Sequence, residues 1–224
     1  MRRLSVPLAL VLVAAAAPAL AQQAPESCAA IDDFAKSRLG AFPEGWKPRK
    51  DAGYPVYSVL DEGGLRFIRA VSRGLGIQAA KQLDAWDLTT HPILAWSWRP
   101  REFPKGGDER ESATNDSALA VYLLVEYSRI VGPKAVKYVW SEKVPVGTRL
   151  SSNAGLTQVI VLRSGTAGRD AWADERVNVL EDYRKFFGES GTPKAAGIAV
   201  LTDSDDTKSS AAGDYGRFRS CRAP

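Results

Sequence analysis

Two apolar runs decide the fold: Ile93-Leu-Ala-Trp-Ser-Trp98 and Ala118-Leu-Ala-Val-Tyr-Leu-Leu-Val-Glu-Tyr127. Both are rich in aliphatic and aromatic residues and lack Gly and Pro, the composition of strands buried in a sheet. The connection between them, residues 99–117, holds Pro104, Gly106, Gly107 and a dense run of charged residues. It is expected to be a long loop lying in water.

Working outward, the same signature recurs. Residues 56–60 and 65–71 flank Asp61-Glu-Gly-Gly64 and predict a hairpin. Residues 135–141 alternate in polarity, predicting a strand with one wet and one buried face, preceded by a turn at Gly132-Pro133. Thr157-Gln-Val-Ile-Val-Leu-Arg163, Ala196-Gly-Ile-Ala-Val-Leu-Thr202 and residues 215–220 read as further strands. Residues 31–38 fit a short helix or a first strand, and residues 77–83 are equally open, helical by propensity and strand-like by spacing. The best helix candidate is residues 172–188. There Val179, Leu180, Tyr183 and Phe187 recur at helical spacing and Gly188 can close the end. Its opening, residues 176–179, would also suit an extended segment. Eight to ten strands, one short helix and no βαβ alternation predict an all-β fold, an antiparallel β-sandwich of jelly-roll type.

The N-terminus begins Met-Arg-Arg and continues into an apolar run ending Ala19-Leu-Ala21. The pattern is that of a secretory signal peptide cut after Ala21, residues 1–21. The rival, a membrane anchor, has an apolar stretch at the short end for spanning a bilayer. A periplasmic or secreted location follows, with a single domain over residues 22–224 and no membrane span after cleavage. In such a compartment the two cysteines, Cys28 and Cys221, are expected to form a disulfide holding the termini together. The alternative is two free thiols for catalysis or metal binding, which lacks a CxxC pair. The formal charge of +4 is spread along the chain without a basic stripe, so a nucleic-acid partner is not expected.

The chain has one histidine, His91. It has no nucleophile motif nearby, and zinc would lack ligands. Carboxylates carry the remaining chemistry. Asp203, Asp205 and Asp206 follow one predicted core strand, and Asn115-Asp116 precede another. If those strands are neighbours, Asp116, Asp203 and Asp205 converge at one end of the sandwich as hard oxygen ligands suited to Ca²⁺. A pair of them could instead cleave a glycosidic bond. The plainer alternative is a solvated turn held by Asx hydrogen bonds. Of six tryptophans, Trp96 and Trp98 share a strand face. Trp96 reads as core. Trp98, beside the charged loop, reads as a stacking surface for a sugar ring.

Several motifs resemble a family of secreted bacterial proteins, the domain of unknown function 3047 family. They are Phe42-Pro-Glu-Gly-Trp46, His91-Pro-Ile-Leu-Ala-Trp-Ser-Trp98, Phe103-Pro-Lys-Gly-Gly-Asp108, Lys137-Tyr-Val-Trp-Ser141, Leu162-Arg-Ser-Gly165 with Trp172 following, Glu181-Asp-Tyr-Arg-Lys-Phe-Phe-Gly188 and Gly197-Ile-Ala-Val-Leu-Thr-Asp-Ser-Asp-Asp-Thr207. The resemblance runs from about residue 31 to 220. It implies a single β-sandwich similar in style to carbohydrate-binding modules, with no established activity. It also implies that Asp116 belongs to a paired acid whose partner position is Asn115 here, and that an Arg of the family pattern is replaced by Ala120. The leading functional expectation is a non-catalytic module for a saccharide or envelope glycan, using Trp98, Asn115, Asp116, Asp203 and Asp205. The alternatives are a carboxylate-based glycan hydrolase or lyase and a structural envelope protein.

Overall fold

The computed structural model describes residues 27–223. The expected signal peptide lies outside the described residues. Among the described residues, thirteen strands form two packed sheets and one α-helix accompanies them. The strands are β1 (Cys28–Asp32), β2 (Trp46–Pro48), β3 (Tyr57–Glu62), β4 (Leu65–Arg73), β5 (Ala79–Gln82), β6 (Ile93–Glu102) and β7 (Leu119–Ser128), followed by β8 (Gly132–Ser141), β9 (Arg149–Ser152), β10 (Thr157–Ser164), β11 (Ala173–Asn178), β12 (Ala195–Leu201) and β13 (Ser210–Cys221). The helix α1 is Val179–Phe187. One sheet runs β11-β6-β13-β4-β3, with β1 also on β13; the other runs β2-β5-β12-β7-β8-β10-β9. Pairing is antiparallel except for β10, which lies parallel to β8. The expected β-sandwich with one short helix is what the chain forms. The open reading at residues 77–83 resolves as strand β5, and the strands beyond the expected number are mostly short, such as β2 and β9, whose apolar content is too low to announce them.

The decisive runs pair as central strands of opposite sheets: β6 with β13 and β11, β7 with β8 and β12. Their inner faces meet in one core. Trp96 stands edge-on to Trp98 at 5.3 Å and Trp98 lies 5.8 Å from Trp140, so the tryptophans continue across the interface between sheets. The Leu65–Arg73 strand returns on Tyr57–Glu62 as the expected hairpin. Cys28 and Cys221 are bonded and face each other across the β1–β13 pair, with Cα atoms 4.0 Å apart. That bridge joins the first and last strands.

Four local expectations need correction. The helix begins at Val179 rather than at Trp172. Residues 173–178 pair along β6 from Trp98 to Ile93, and edge pairing outweighs helical propensity there. Asn178 then caps the helix by accepting from the Glu181 N–H, and Gly188 closes it in the left-handed region, as expected. Gly132 and Pro133 open β8 instead of forming the turn, which falls at residues 129–131. The residues 135–141 have no wet face: all seven are buried, Lys137 among them. Finally, the charged β6–β7 loop does not lie wholly in water. Glu109 is buried, and its carboxylate accepts from Ser117 Oγ at 2.9 Å and Ser141 Oγ at 2.5 Å. This folds the loop back over the outer face of β8. A buried carboxylate bonded in this way is tolerable where an unpaired one is not.

On the outer face of the first sheet, Asp214 is fully buried. Arg69 grips it with two bonds, 2.6 and 2.9 Å, and Arg99 Nε adds a third at 2.7 Å while its Nη2 reaches Glu62. Phe67 and Trp172 cover the Arg99 guanidinium at 5.4 and 4.6 Å. The network is a closed set of opposite charges, stable because every member is paired.

Candidate functional site

Three connections cross from one sheet to the other at the same end of the sandwich. They are the β4–β5 link (residues 74–78), the β6–β7 loop (103–118) and the β12–β13 loop (202–209). Backbone hydrogen bonds knit them together: Ser204 N to Leu75 O, Gly74 N to Ser209 O and Asp203 N to Ser117 O. A buried Ser72–Ser204 hydroxyl pair at 2.8 Å and a Thr202–Tyr215 pair at 2.8 Å fix the same junction. A polar end of this kind persists only if its groups are paired.

The crossovers carry the acids that the sequence singled out. One oxygen of each of Asp116, Asp203 and Asp205 lies within 4.8 Å of the others. Asp116 is buried and already engaged. Its Oδ1 accepts from Asp206 N at 3.2 Å, and its Oδ2 from Thr207 N at 2.7 Å and Thr207 Oγ1 at 2.5 Å. It therefore anchors the β12–β13 loop. Asp203 is 8% exposed and its Oδ1 is buried without a hydrogen-bond partner. Asp205 is half-buried and reaches the surface. Gly76 passes directly against the pair: a Cβ there would stand 2.5 Å from Asp203 Oδ1 and 2.7 Å from Asp205 Oδ1. The glycine is needed for close approach, not for an unusual φ.

Burial, then contact with the Asp205 carboxyl, pushes the pKa of Asp203 up to about 8, with Lys137 acting the other way. Lys137 projects from β8 among Asp203, Glu109 and Tyr122, its Nζ 5.7 Å from the Tyr122 ring centroid. Burial disfavours its charge, but Tyr122, Asp203 and Glu109 outweigh that and raise its pKa. Lys137 was missed by sequence reasoning, because an alternating strand places a lysine on a wet face by default. Asn115 follows the short 3-10 turn at residues 112–114 and is half-buried. The bonds that build the cluster run from Asp116, not from Asn115.

Trp98 is not a stacking surface. It is wholly buried on the inner face, and its Nε1 donates to Glu175 at 2.9 Å. The strand continues past it to Glu102, so Trp98 sits within β6 rather than at its end. Trp172 is half-exposed and lines a 520 Å³ cleft with Trp140. Arg99 already lies over Trp172 and Arg163 over Trp140, at 4.6 and 5.3 Å.

A second concavity lies on the outer face of the seven-stranded sheet. It measures about 430 Å³. Its floor is Ala80, Leu124, Ala135 and Tyr122, and Arg49, Gln78 and Asn153 stand among the polar residues that line it. The register explains the floor: Ala80 lies opposite Ala199, Ala199 opposite Tyr122, and Leu124 opposite Ala135 on adjacent strands. Small residues keep the centre low. Tyr122 joins this groove to Lys137 and so to the acidic end.

The fold and site together define a two-sheet β-sandwich with a carboxylate cluster at its crossover end and a groove on one outer face. The chain belongs to the family described as "Protein of unknown function (DUF3047)", whose model matches residues 44–219. No curated protein matches the sequence. Similar solved structures include CtCBM11, at 10% identity over 91% of this chain and 99% of that one, TM-score 0.44. The xyloglucanase domain of NopAA from Sinorhizobium fredii aligns at 11% identity over 90% of this chain and 100% of that one, TM-score 0.37. The family 11 xylanase from Neocallimastix patriciarum aligns at 10% identity over 83% and 95%, TM-score 0.35.

Proposed function

We propose that this protein is a periplasmic or secreted, non-catalytic saccharide-binding module, with its ligand in the groove on the outer face of the seven-stranded sheet. The observation that carries this reading is the groove itself: an apolar floor of Ala80, Leu124 and Ala135 with Tyr122, bounded by Arg49, Gln78 and Asn153. Small-ligand sites have this construction, an apolar base with a few convergent polar groups. A saccharide offers hydroxyls to the amide and guanidinium groups and a C–H face to the floor. The expected stacking role of Trp98 is not part of this reading.

The hydrolase alternative fits less well. Glycosidase carboxyls stand roughly 5 to 9 Å apart across the bond they cleave. Here the acids crowd within 4.8 Å, and Asp116 is committed to the loop backbone. The test is a glycan array followed by titration calorimetry of the best ligand. Wild type should bind, and Arg49→Ala, Gln78→Ala and Asn153→Ala should each weaken binding by about tenfold, the worth of one or two hydrogen bonds. A silent array, or variants that bind as wild type does, would sink the proposal in favour of a structural role.

A further inference from the structure

We propose that Asp116, Asp203 and Asp205 form a binding site for one calcium ion, which ties the β6–β7 and β12–β13 crossovers together. The site is independent of the groove and of any saccharide.

Proximity of acids is not sufficient, since acidic turns are common without a cation. The distinguishing observation is the Asp203 Oδ1 atom: its residue is more than nine-tenths buried and it accepts no hydrogen bond. Glu142 Oε2, just beyond β8, is likewise without a partner, but the other oxygens packed around Asp203 are engaged. Asp116 takes three donors, Glu109 takes two serine hydroxyls, and Thr202 and Ser204 are both paired. A buried carboxylate oxygen left without a donor is costly. Both Asp203 Oδ1 and Asp205 Oδ1 pack against Gly76, and one oxygen of each of the three acids lies within 4.8 Å of the others. Gly76 is exposed and Asp205 half-buried, so this edge of the cluster meets solvent.

The donor set selects the ion. All three side chains offer hard oxygens, which favours Ca²⁺ or Mg²⁺ over zinc or copper, whose sites use nitrogen and sulfur. Calcium accepts irregular coordination from several protein oxygens, whereas magnesium requires near-ideal octahedral geometry and retains its water. Loops from two crossovers, one acid of which is already fixed by backbone N–H groups, give the irregular arrangement that calcium tolerates. Lys137 is the basic residue buried against Asp203, and Glu109 and Tyr122 face it as well. It lies on the β8 side, away from the opening at Gly76, and serves as a balancing charge beneath the acids.

The test is equilibrium dialysis of the full chain against radioactive calcium after removal of metal, with thermal unfolding alongside. Wild type is expected to bind about one calcium per chain. At calcium a hundred times Kd its midpoint should rise by about 5–10 °C, more than with equal magnesium. Asp203→Asn and Asp205→Asn should each lower affinity at least tenfold. Asp108→Asn, which breaks a surface pair with Arg110, should bind as wild type does. Asp116 is left unchanged because it anchors a loop, and circular dichroism confirms that each variant is folded. No bound calcium, or equal binding by folded Asp203→Asn, overturns the site; a larger shift with magnesium overturns the choice of ion. Because no glycan enters the measurement, its failure is separate from failure of the saccharide reading.

Discussion

Replacing Asp203 by asparagine should stabilise the metal-free protein at alkaline pH, although most core substitutions destabilise. The reason lies in the carboxyl's surroundings. Burial and the neighbouring Asp205 raise its pKa from 3.8 to about 8. Between those values the folded protein keeps a proton that the unfolded chain has released. Stability must then fall as pH rises through this window and level off above about pH 8. Four units would amount to about 6 kcal/mol at most, at 1.36 kcal/mol per unit. Water at the opening beside exposed Gly76 screens part of this, so about 2–4 kcal/mol is the expected loss. Asparagine keeps the shape and removes the charge, and its amide can donate to Asp205. In chelator, urea unfolding followed by tryptophan fluorescence should show wild type and Asp203→Asn near parity at pH 5. At pH 9 the variant should be ahead by about 2–4 kcal/mol, a difference that cancels titrations common to both. If the variant follows the wild-type slope, or is the weaker protein at pH 9, the carboxyl is not held protonated by its burial and the reasoning fails.

Other contacts in the fold carry their own expected outcomes. Asp214→Ala should cost about 3–5 kcal/mol, because Arg69 and Arg99 lose their shared buried partner; a urea-derived loss below about 1 kcal/mol would mean the network is solvent-screened. Reducing Cys28–Cys221 opens a closure of 193 residues and should remove up to about 5 kcal/mol by the chain-entropy model, visible as a lower melting temperature in reductant. Two reactive thiols in denatured, unreduced protein would instead show that the bond does not form. Gly76→Ala should destabilise by about 1–3 kcal/mol through overpacking against Asp203 and Asp205, and an unchanged melting temperature would place those carboxylates elsewhere.

The sandwich was legible because its central strands are long and apolar on both faces. The run from residue 118 to 127 could only be a buried strand, and the hairpin at residues 61–64 announced itself by its glycines. The convergence of Asp116 with Asp203 and Asp205 was legible too, since it requires only that β7 and β12 be neighbours, which they are. What the sequence hid was the depth of coverage. A lysine at an alternating position and a glutamate in a charged loop both read as solvent-exposed, yet Lys137 and Glu109 are buried against one another's neighbours. Their burial depends on the β6–β7 loop folding back through two serine hydroxyls, Ser117 at the loop's own end and Ser141 on β8. No local pattern encodes that. Trp98 misled for the related reason that the strand end was placed at Trp98, whereas β6 runs four residues further, through Arg99 and Pro100.

Asp116 separates the structural and binding roles of the acidic end more sharply than any other residue. Its two oxygens accept two backbone N–H groups and one hydroxyl from the β12–β13 loop. Asp116→Ala leaves those N–H groups without a partner in a half-buried loop and should cost about 2–4 kcal/mol, at about 1–3 kcal/mol for each donor so stranded. Asp116→Asn retains one carbonyl oxygen to accept from Thr207 and should cost roughly 1–2 kcal/mol, near the worth of a charge-assisted hydrogen bond. If Asp116 acted only as a ligand, alanine and asparagine would weaken calcium binding alike and leave metal-free stability intact. If it acts as the anchor, hydrogen exchange at the Asp206 and Thr207 amides should accelerate in metal-free Asp116→Ala and less so in Asp116→Asn. Protection equal to wild type in both variants would mean that the loop is held by its other bonds, to Gly74, Leu75, Lys105 and Ser117.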